Sequence, residues 1–150
     1  GLASASNFNN PKLTKINFFD SELLTLDGFE GLANSPYLTE IHLGQSKLTD
    51  VCGMAGVTSL ISLSINNNDL TDINCLSNLV NVEHFTIVNT NINDISIMQY
   101  MPNITHANLG QGDYDLSYLE TLQNLVCFMM RLIAINVLKQ RLKMLLIGLV

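Results

Sequence analysis

Three histidines are the residues of this chain whose chemistry points most readily to a site. They are His42, His84 and His106, and the last two are spaced by one period of a repeat that runs through the chain. Two imidazoles brought together could share a metal ion, but a catalytic zinc ion usually needs three protein ligands. We therefore favour ordinary surface histidines with a mild pH response, because imidazoles titrate near neutrality, and we predict no metal site.

The three cysteines, Cys52, Cys75 and Cys127, form no CxxC pair, so neither a zinc knuckle nor a thioredoxin-like site is indicated. Two interpretations stay open for Cys52 and Cys75: a disulfide, or small half-buried apolar residues, which is the default. The sequence has no Ser-His-Asp spacing, Gly-rich phosphate loop or paired-carboxylate cleft. We accordingly predict no catalytic residue, no cofactor and no enzyme activity.

The elements that would position these residues follow from the internal repeat. Apolar anchors recur at Leu38, Leu60, Val82, Ile104 and Leu125, with a 22-residue period that shortens by one residue at the last step. A looser first unit starts at Leu13 and is three residues longer than the next. A fixed period of this length is typical of a solenoid, in which each unit buries its apolar edge against its neighbours.

The spacing of apolar residues within each unit predicts a short strand followed by a tight helical turn. Leu63 and Ile65 stand two apart and share one face of a strand, and the later slots at Leu70, Ile73 and Leu76 stand about three apart, as in a 3-10 turn. We expect about five parallel strands near residues 15–18, 40–43, 62–65, 84–87 and 106–109. We expect almost complete burial of Leu63, Ile65, Leu70, Ile73, Phe85, Ile87 and Ile95.

The chain resembles the leucine-rich-repeat family. The family pattern L-x-x-L-x-L-x-x-N is matched in every slot by "LISLSINNN" at residues 60–68. The 22-residue period and the phrases "LTDV" (48–51), "LTDI" (70–73) and "INDI" (92–95) are similar to the bacterial internalin-like subclass. The resemblance covers about residues 13–124. It implies an α/β solenoid (horseshoe) with a concave parallel β-sheet and short helical or 3-10 segments on the convex side.

Two further features belong to the repeat. Asp50, Asp72 and Asp94 recur once per unit, and we favour capping of the following turn over a Ca²⁺ ladder, because the crowded Asp/Asn loop that calcium requires is missing. The family asparagine, which satisfies backbone groups in the turn, occurs at Asn68, while Ser46, Thr90 and Gly112 occupy the slot elsewhere. Since Gly112 has no side chain that could hydrogen-bond and one residue is missing nearby, we expect an irregular fifth unit.

The resemblance places ligands on the open side of the sheet, here called the concave face. If Leu63 and Ile65 point inward, the alternating residues point outward and align in columns. We expect the candidate ligand-binding residues to be solvent-exposed together on this face, and they are Glu40, His42, Ser64, Asn66, His84, Thr86, His106 and Asn108. The face is polar and lacks the aromatic anchors of most protein hot spots, with Phe19 and Val88 as the apolar points of its columns.

We divide the chain into an N-terminal extension (1–12), repeats (13–124) and an atypical apolar segment (125–150). The last segment holds 19 apolar residues in 26, four cations and no acid. It is a degenerate repeat, a helix from about Val137, or out-of-register sequence. The cations interrupt any run of the ~20 apolar residues that a membrane span needs. An apolar terminal repeat without a polar outer face predicts a tendency to self-associate.

The favoured function is a protein-binding module of a bacterial surface or secreted protein, with the cytoplasm as the alternative location. An intracellular regulatory or scaffold subunit that docks on an enzyme is a second hypothesis, and a structural spacer is a third. The net charge of −6 makes nucleic acid an unsuitable partner. Since the chain begins at Gly1, we expect a processed or cut fragment.

Overall fold

A computed structural model describes residues 10–21 and 29–129 of the chain. The strands of this described part form one six-stranded parallel sheet, in which each strand pairs with the next along the sequence. The strands are β1 (Lys15–Asn17), β2 (Glu40–His42), β3 (Ser62–Ser64), β4 (His84–Thr86), β5 (His106–Asn108) and β6 (Cys127–Met129). The leucine-rich-repeat solenoid predicted from the sequence is therefore confirmed.

Short 3-10 segments alternate with the strands along the chain. They are Glu30–Asn34, Cys52–Met54, Asn74–Asn78, Ser96–Tyr100 and Ser117–Thr121. The five expected strands are present, each one residue shorter than predicted. A further strand, Cys127–Met129, continues the sheet by pairing with β5. Residues 130–150, on which the three interpretations of the apolar segment mostly fall, lie outside the described residues.

A continuous apolar core lies between the sheet and the 3-10 segments. The seven residues predicted to be buried are each at most 1% exposed, as the inward slots of the repeat require. At the first unit Phe18 packs edge-to-face on Phe29, with ring centroids 5.8 Å apart. In the fifth unit Leu116 and Leu119 are only partly buried, which agrees with the irregularity expected there.

Asn68 satisfies the backbone of two consecutive turns. Its Oδ1 accepts hydrogen bonds from the backbone N–H groups of Ser46 (3.1 Å) and Leu48 (3.0 Å). Its Nδ2 lies within donor distance of the carbonyl oxygens of Leu43 (2.6 Å) and Ile65 (3.0 Å). With the side chain 4% exposed, these bonds replace water for backbone groups that water cannot reach.

In later repeats, other side chains donate a hydrogen bond to the carbonyl that is equivalent to that of Ile65. Thr90 Oγ1 donates to the Ile87 carbonyl (3.0 Å), and the Tyr114 hydroxyl donates to the Leu109 carbonyl (3.2 Å). Gly112 makes room for this tyrosine, because a Cβ at position 112 would lie 2.6 Å from the Tyr114 ring. The turn with Gly112 in the asparagine slot is thus closed by Tyr114, two positions further along the chain.

The recurring aspartates cap the 3-10 segments, as the sequence predicted. The carboxylates of Asp72 and Asp94 accept the backbone N–H groups of Asn74 (2.6 Å) and Ser96 (2.8 Å), and Asp50 caps Cys52 in the same way. Asp115 caps the fifth segment through Ser117, a role hidden in the sequence by the missing residue. The bonds from the Ser96 and Ser117 backbone lower the pKa values of Asp94 and Asp115.

Cys52 and Cys75 form a disulfide between two neighbouring 3-10 segments, with Cα atoms 5.5 Å apart. The default interpretation of these cysteines as unpaired apolar residues was therefore wrong. Consecutive repeats bring nearly equivalent positions side by side, so two cysteines far apart in sequence are separated by one step of the solenoid. Within the described part of the chain, no helix is long and apolar enough to cross a membrane.

We predict that Asn68→Ala lowers the free energy of unfolding by about 3 kcal/mol or more. Several buried backbone groups lose their partners together, and each such loss costs about 1–3 kcal/mol. Thr90→Ala, in the equivalent slot, is the matched control and should cost about 1 kcal/mol, because one hydrogen bond is lost. Urea denaturation followed by circular dichroism measures both values. Equal losses in the two variants would contradict the special role of Asn68.

Candidate functional site

The concave face is built by the alternation of side chains along each three-residue strand. The central residue of each strand from β1 to β5 is buried, and the flanking residues lie on the solvent side. In β3, for example, Leu63 is 1% exposed while Ser62 and Ser64 are half-buried. Two flanking positions per strand therefore supply the polar surface.

The strand register aligns these positions in columns. The first column contains Lys15, Glu40, Ser62, His84 and His106, and it continues to Cys127 at β6. The second column contains Asn17, His42, Ser64, Thr86 and Asn108. Asn66 lies beyond β3 on the same face, next to Ser64, whose hydroxyl donates to Asn66 Oδ1 (2.8 Å). The predicted columns are therefore present.

The eight candidate residues differ in exposure. His84 and His106 are exposed, whereas Glu40, His42, Ser64, Asn66, Thr86 and Asn108 are half-buried. The expectation that all eight are solvent-exposed together holds for two of them, while the other six are partly covered by contacts such as the hydrogen bond between Ser64 and Asn66. Sequence analysis also left Lys15 and Phe19 out of the candidate set. Both occupy positions in the columns of the looser first repeat, so the repeat spacing could have placed them in the candidate set.

Charge on the concave face concentrates at Glu40. Its Oε2 lies 2.8 Å from Lys15 Nζ across the β1–β2 pair. The Nε2 of His42 lies 3.5 Å from the same oxygen and makes no hydrogen bond. The hydrogen bond from Lys15, together with its positive charge, lowers the pKa of Glu40. This end of the face therefore carries a paired carboxylate and little net charge.

A shallow depression of about 340 Å³ lies beside this cluster. Its lining residues are Lys15, Asn17, Phe19, His42, Gly44, Ser64 and Asn66. Phe19 is 60% exposed, and its ring lies across Gly44, where a Cβ would come within 3.0 Å of the ring. Gly44 thus lets an aromatic ring rest on the sheet beside polar side chains that can orient a ligand.

His84 and His106 stack at the other end of the first column. Their ring centroids are 4.8 Å apart, and the ring planes are inclined by 21°. This contact follows directly from their pairing in adjacent strands. The residues that the structure describes contain no group of three or more histidine, cysteine or acidic side chains that could hold a metal ion.

Comparison of the sequence with family models and with curated proteins finds no match in either. Two solved structures from Listeria monocytogenes share the fold. Internalin C2 superposes with a TM-score of 0.61 at 18% identity, over 78% of this chain and 73% of its own. An internalin named inlF superposes with a TM-score of 0.63 at 30% identity, over 71% of this chain and 32% of its own.

The chain is an internalin-like leucine-rich-repeat solenoid. It spans about three quarters of internalin C2 but only about a third of inlF. Solenoids of this architecture present extended surfaces suited to binding. The internalin-like fold therefore suggests a protein-binding repeat module.

We predict that the Glu40 carboxyl titrates below the usual range of glutamate, since its pKa is lowered by Lys15. The ion pair is fully present above the ordinary glutamate pKa and is lost as the pH falls through the lowered value in the folded protein. Carbon-13 NMR of the side-chain carboxyl measures the midpoint, which Lys15→Ala should raise. Lys47→Ala, the control, should leave it unchanged, and a midpoint indifferent to Lys15→Ala would contradict the pairing.

Proposed function

We propose that this chain is a protein-binding module whose ligand docks on the concave face, within a bacterial surface or secreted protein. The observation that carries the proposal is the alignment of polar columns beside an exposed aromatic ring. Polar groups orient a ligand, and a large aromatic side chain provides the buried apolar contact that dominates most interfaces. The depression beside Phe19 is the centre of the proposed interface.

The charge of the repeats supports a basic partner surface. Residues 1–120 contain all 13 acids and three lysines, which gives a net charge of −10. Complementary charge speeds association and selects partners, and salt weakens this effect. On the concave face itself the carboxylate of Glu40 is already paired with Lys15, so the attraction comes from the whole domain and not from one residue.

The disulfide supports the proposed location. Disulfides persist in secreted and cell-surface proteins and are rare in the reducing cytosol. Cys52 and Cys75 join two repeats covalently, an arrangement that a cytoplasmic scaffold would seldom keep. A leader sequence and a wall anchor in the parent gene, with Cys52 and Cys75 oxidised in the native protein, are the expected findings. Reduced cysteines in a cytosolic parent protein would favour the scaffold hypothesis.

We predict that Phe19→Ala weakens binding to the partner by about 30-fold, since loss of a hot-spot side chain costs about 2 kcal/mol or more. The quadruple variant Asn66→Ala, His84→Ala, Thr86→Ala and His106→Ala should also weaken binding. The melting temperature should stay nearly unchanged in both, because none of these side chains lies in the apolar core. The partner is first captured with the full-length parent protein, and affinities are then measured by surface plasmon resonance.

Tyr37→Ala and Tyr100→Ala provide the matched controls. Both rings are exposed to a degree similar to Phe19, at 65% and 54%, but they lie outside the sheet, and Tyr100 belongs to a 3-10 segment. Their loss should leave binding unchanged. If the concave variants bind normally while either tyrosine variant does not, the interface lies on another surface and the proposal is wrong.

A further inference from the structure

The stacked histidines form a pair on the concave face whose chemistry extends beyond contact with a protein partner. His84 and His106 lie on adjacent strands in direct register, and both are exposed. Their ring centroids are 4.8 Å apart at an inclination of 21°. Two ligands of one zinc ion, each about 2.0–2.1 Å from the metal, lie at most about 4 Å apart. Because the coordinating lone pairs lie in the ring planes, both exposed rings turn about their side-chain torsions to direct one nitrogen each at a shared ion.

Thr105 orients one of these rings. Its hydroxyl donates to the Glu83 carbonyl (3.2 Å) and lies 2.8 Å from His106 Nδ1. In the tautomer that carries the proton on Nδ1, this nitrogen donates to the Thr105 oxygen and leaves the lone pair of Nε2 free to coordinate an ion. An oxygen partner on the non-coordinating nitrogen is the usual second contact of a metal-binding histidine.

Although the sequence alone predicts no metal site, we propose from the stacked geometry that His84 and His106 form a two-histidine site for a divalent first-row transition-metal ion of the zinc or copper class. Neutral imidazole suits these ions, whereas magnesium and calcium prefer oxygen ligands. The exposure of both rings leaves the remaining coordination positions to water. Thr105 acts as a positioning residue through His106. The site does not depend on the proposed protein-binding function.

Titration of the full chain with Zn²⁺ by isothermal calorimetry tests the proposal. Cys127, the next position of the same column, is replaced by serine in every variant so that no thiol outside the disulfide binds the ion. We expect one Zn²⁺ per chain, and we expect this binding to be lost in both His84→Ala and His106→Ala. Thr105→Val should bind about tenfold more weakly, the usual effect of removing such a second contact.

His42→Ala is the matched control, because the third histidine lies on the same face in the second column. Its affinity for Zn²⁺ should equal that of the Cys127→Ser parent. NMR signals of the His84 and His106 ring protons should shift together on zinc addition, while those of His42 stay in place. Equal zinc binding by the parent and by the double variant His84→Ala with His106→Ala would overturn the proposal, as would an equal loss on His42→Ala.

Discussion

The hydrogen bonds between consecutive strands form in register only if each repeat brings the chain back to the position directly beside the preceding strand. Equivalent bonds from Leu43 to Ser64, from Ile65 to Thr86 and from Ile87 to Asn108 measure 2.8, 2.9 and 2.9 Å. They recur because the 22-residue repeat keeps a constant length from Leu38 to Ile104. The buried core, the ladder of turns and the columns from β2 to β5 follow from this constant length, while a longer first step and a shorter last step still bring β1 and β6 into register.

The turn between the strand and the convex side leaves a backbone carbonyl that needs a hydrogen-bond donor, and several kinds of side chain can supply it. Asn68, Thr90 and Tyr114 each donate to the equivalent carbonyl of their own repeat. Asn68 also accepts two backbone N–H groups of the preceding turn, so it joins two repeats while Thr90 and Tyr114 serve the carbonyl within one. Each turn requires a hydrogen-bond donor for this carbonyl. The family asparagine meets the requirement and also bonds the backbone of the preceding repeat.

Much of the fold could be predicted because it depends on period alone. Inward positions such as Leu63 and Phe85, and the capping role of Asp72, follow from fixed offsets within one repeat. The repeat pattern could not predict the disulfide of Cys52 with Cys75 or the closing of a turn by Tyr114. Both depend on side-chain direction and on distances between repeats. The missing residue of the fifth unit also hid Asp115, since it shifts the residue out of the expected slot.

The candidate site was predictable in position but not in detail. Register gave the columns, and hence the neighbourhood of His84 and His106, whereas their stacking and the contact of Thr105 with His106 needed coordinates. Phe19 was recognised from the sequence as an apolar point of the columns, but the candidate set contained only polar residues. Its importance becomes visible only where its ring crosses Gly44, a contact between two repeats of unequal length.

The concave columns form one surface only if the strands pair in register. Introduced cysteine pairs in the Cys127→Ser background test this register through mild oxidation and peptide mapping by mass spectrometry. Ser64→Cys with Thr86→Cys joins direct Cα partners, about 4.8 Å apart in a sheet, and should form a disulfide. Ser64→Cys with His84→Cys, two residues out of register, should not. Preferential linking of the second pair would contradict the account.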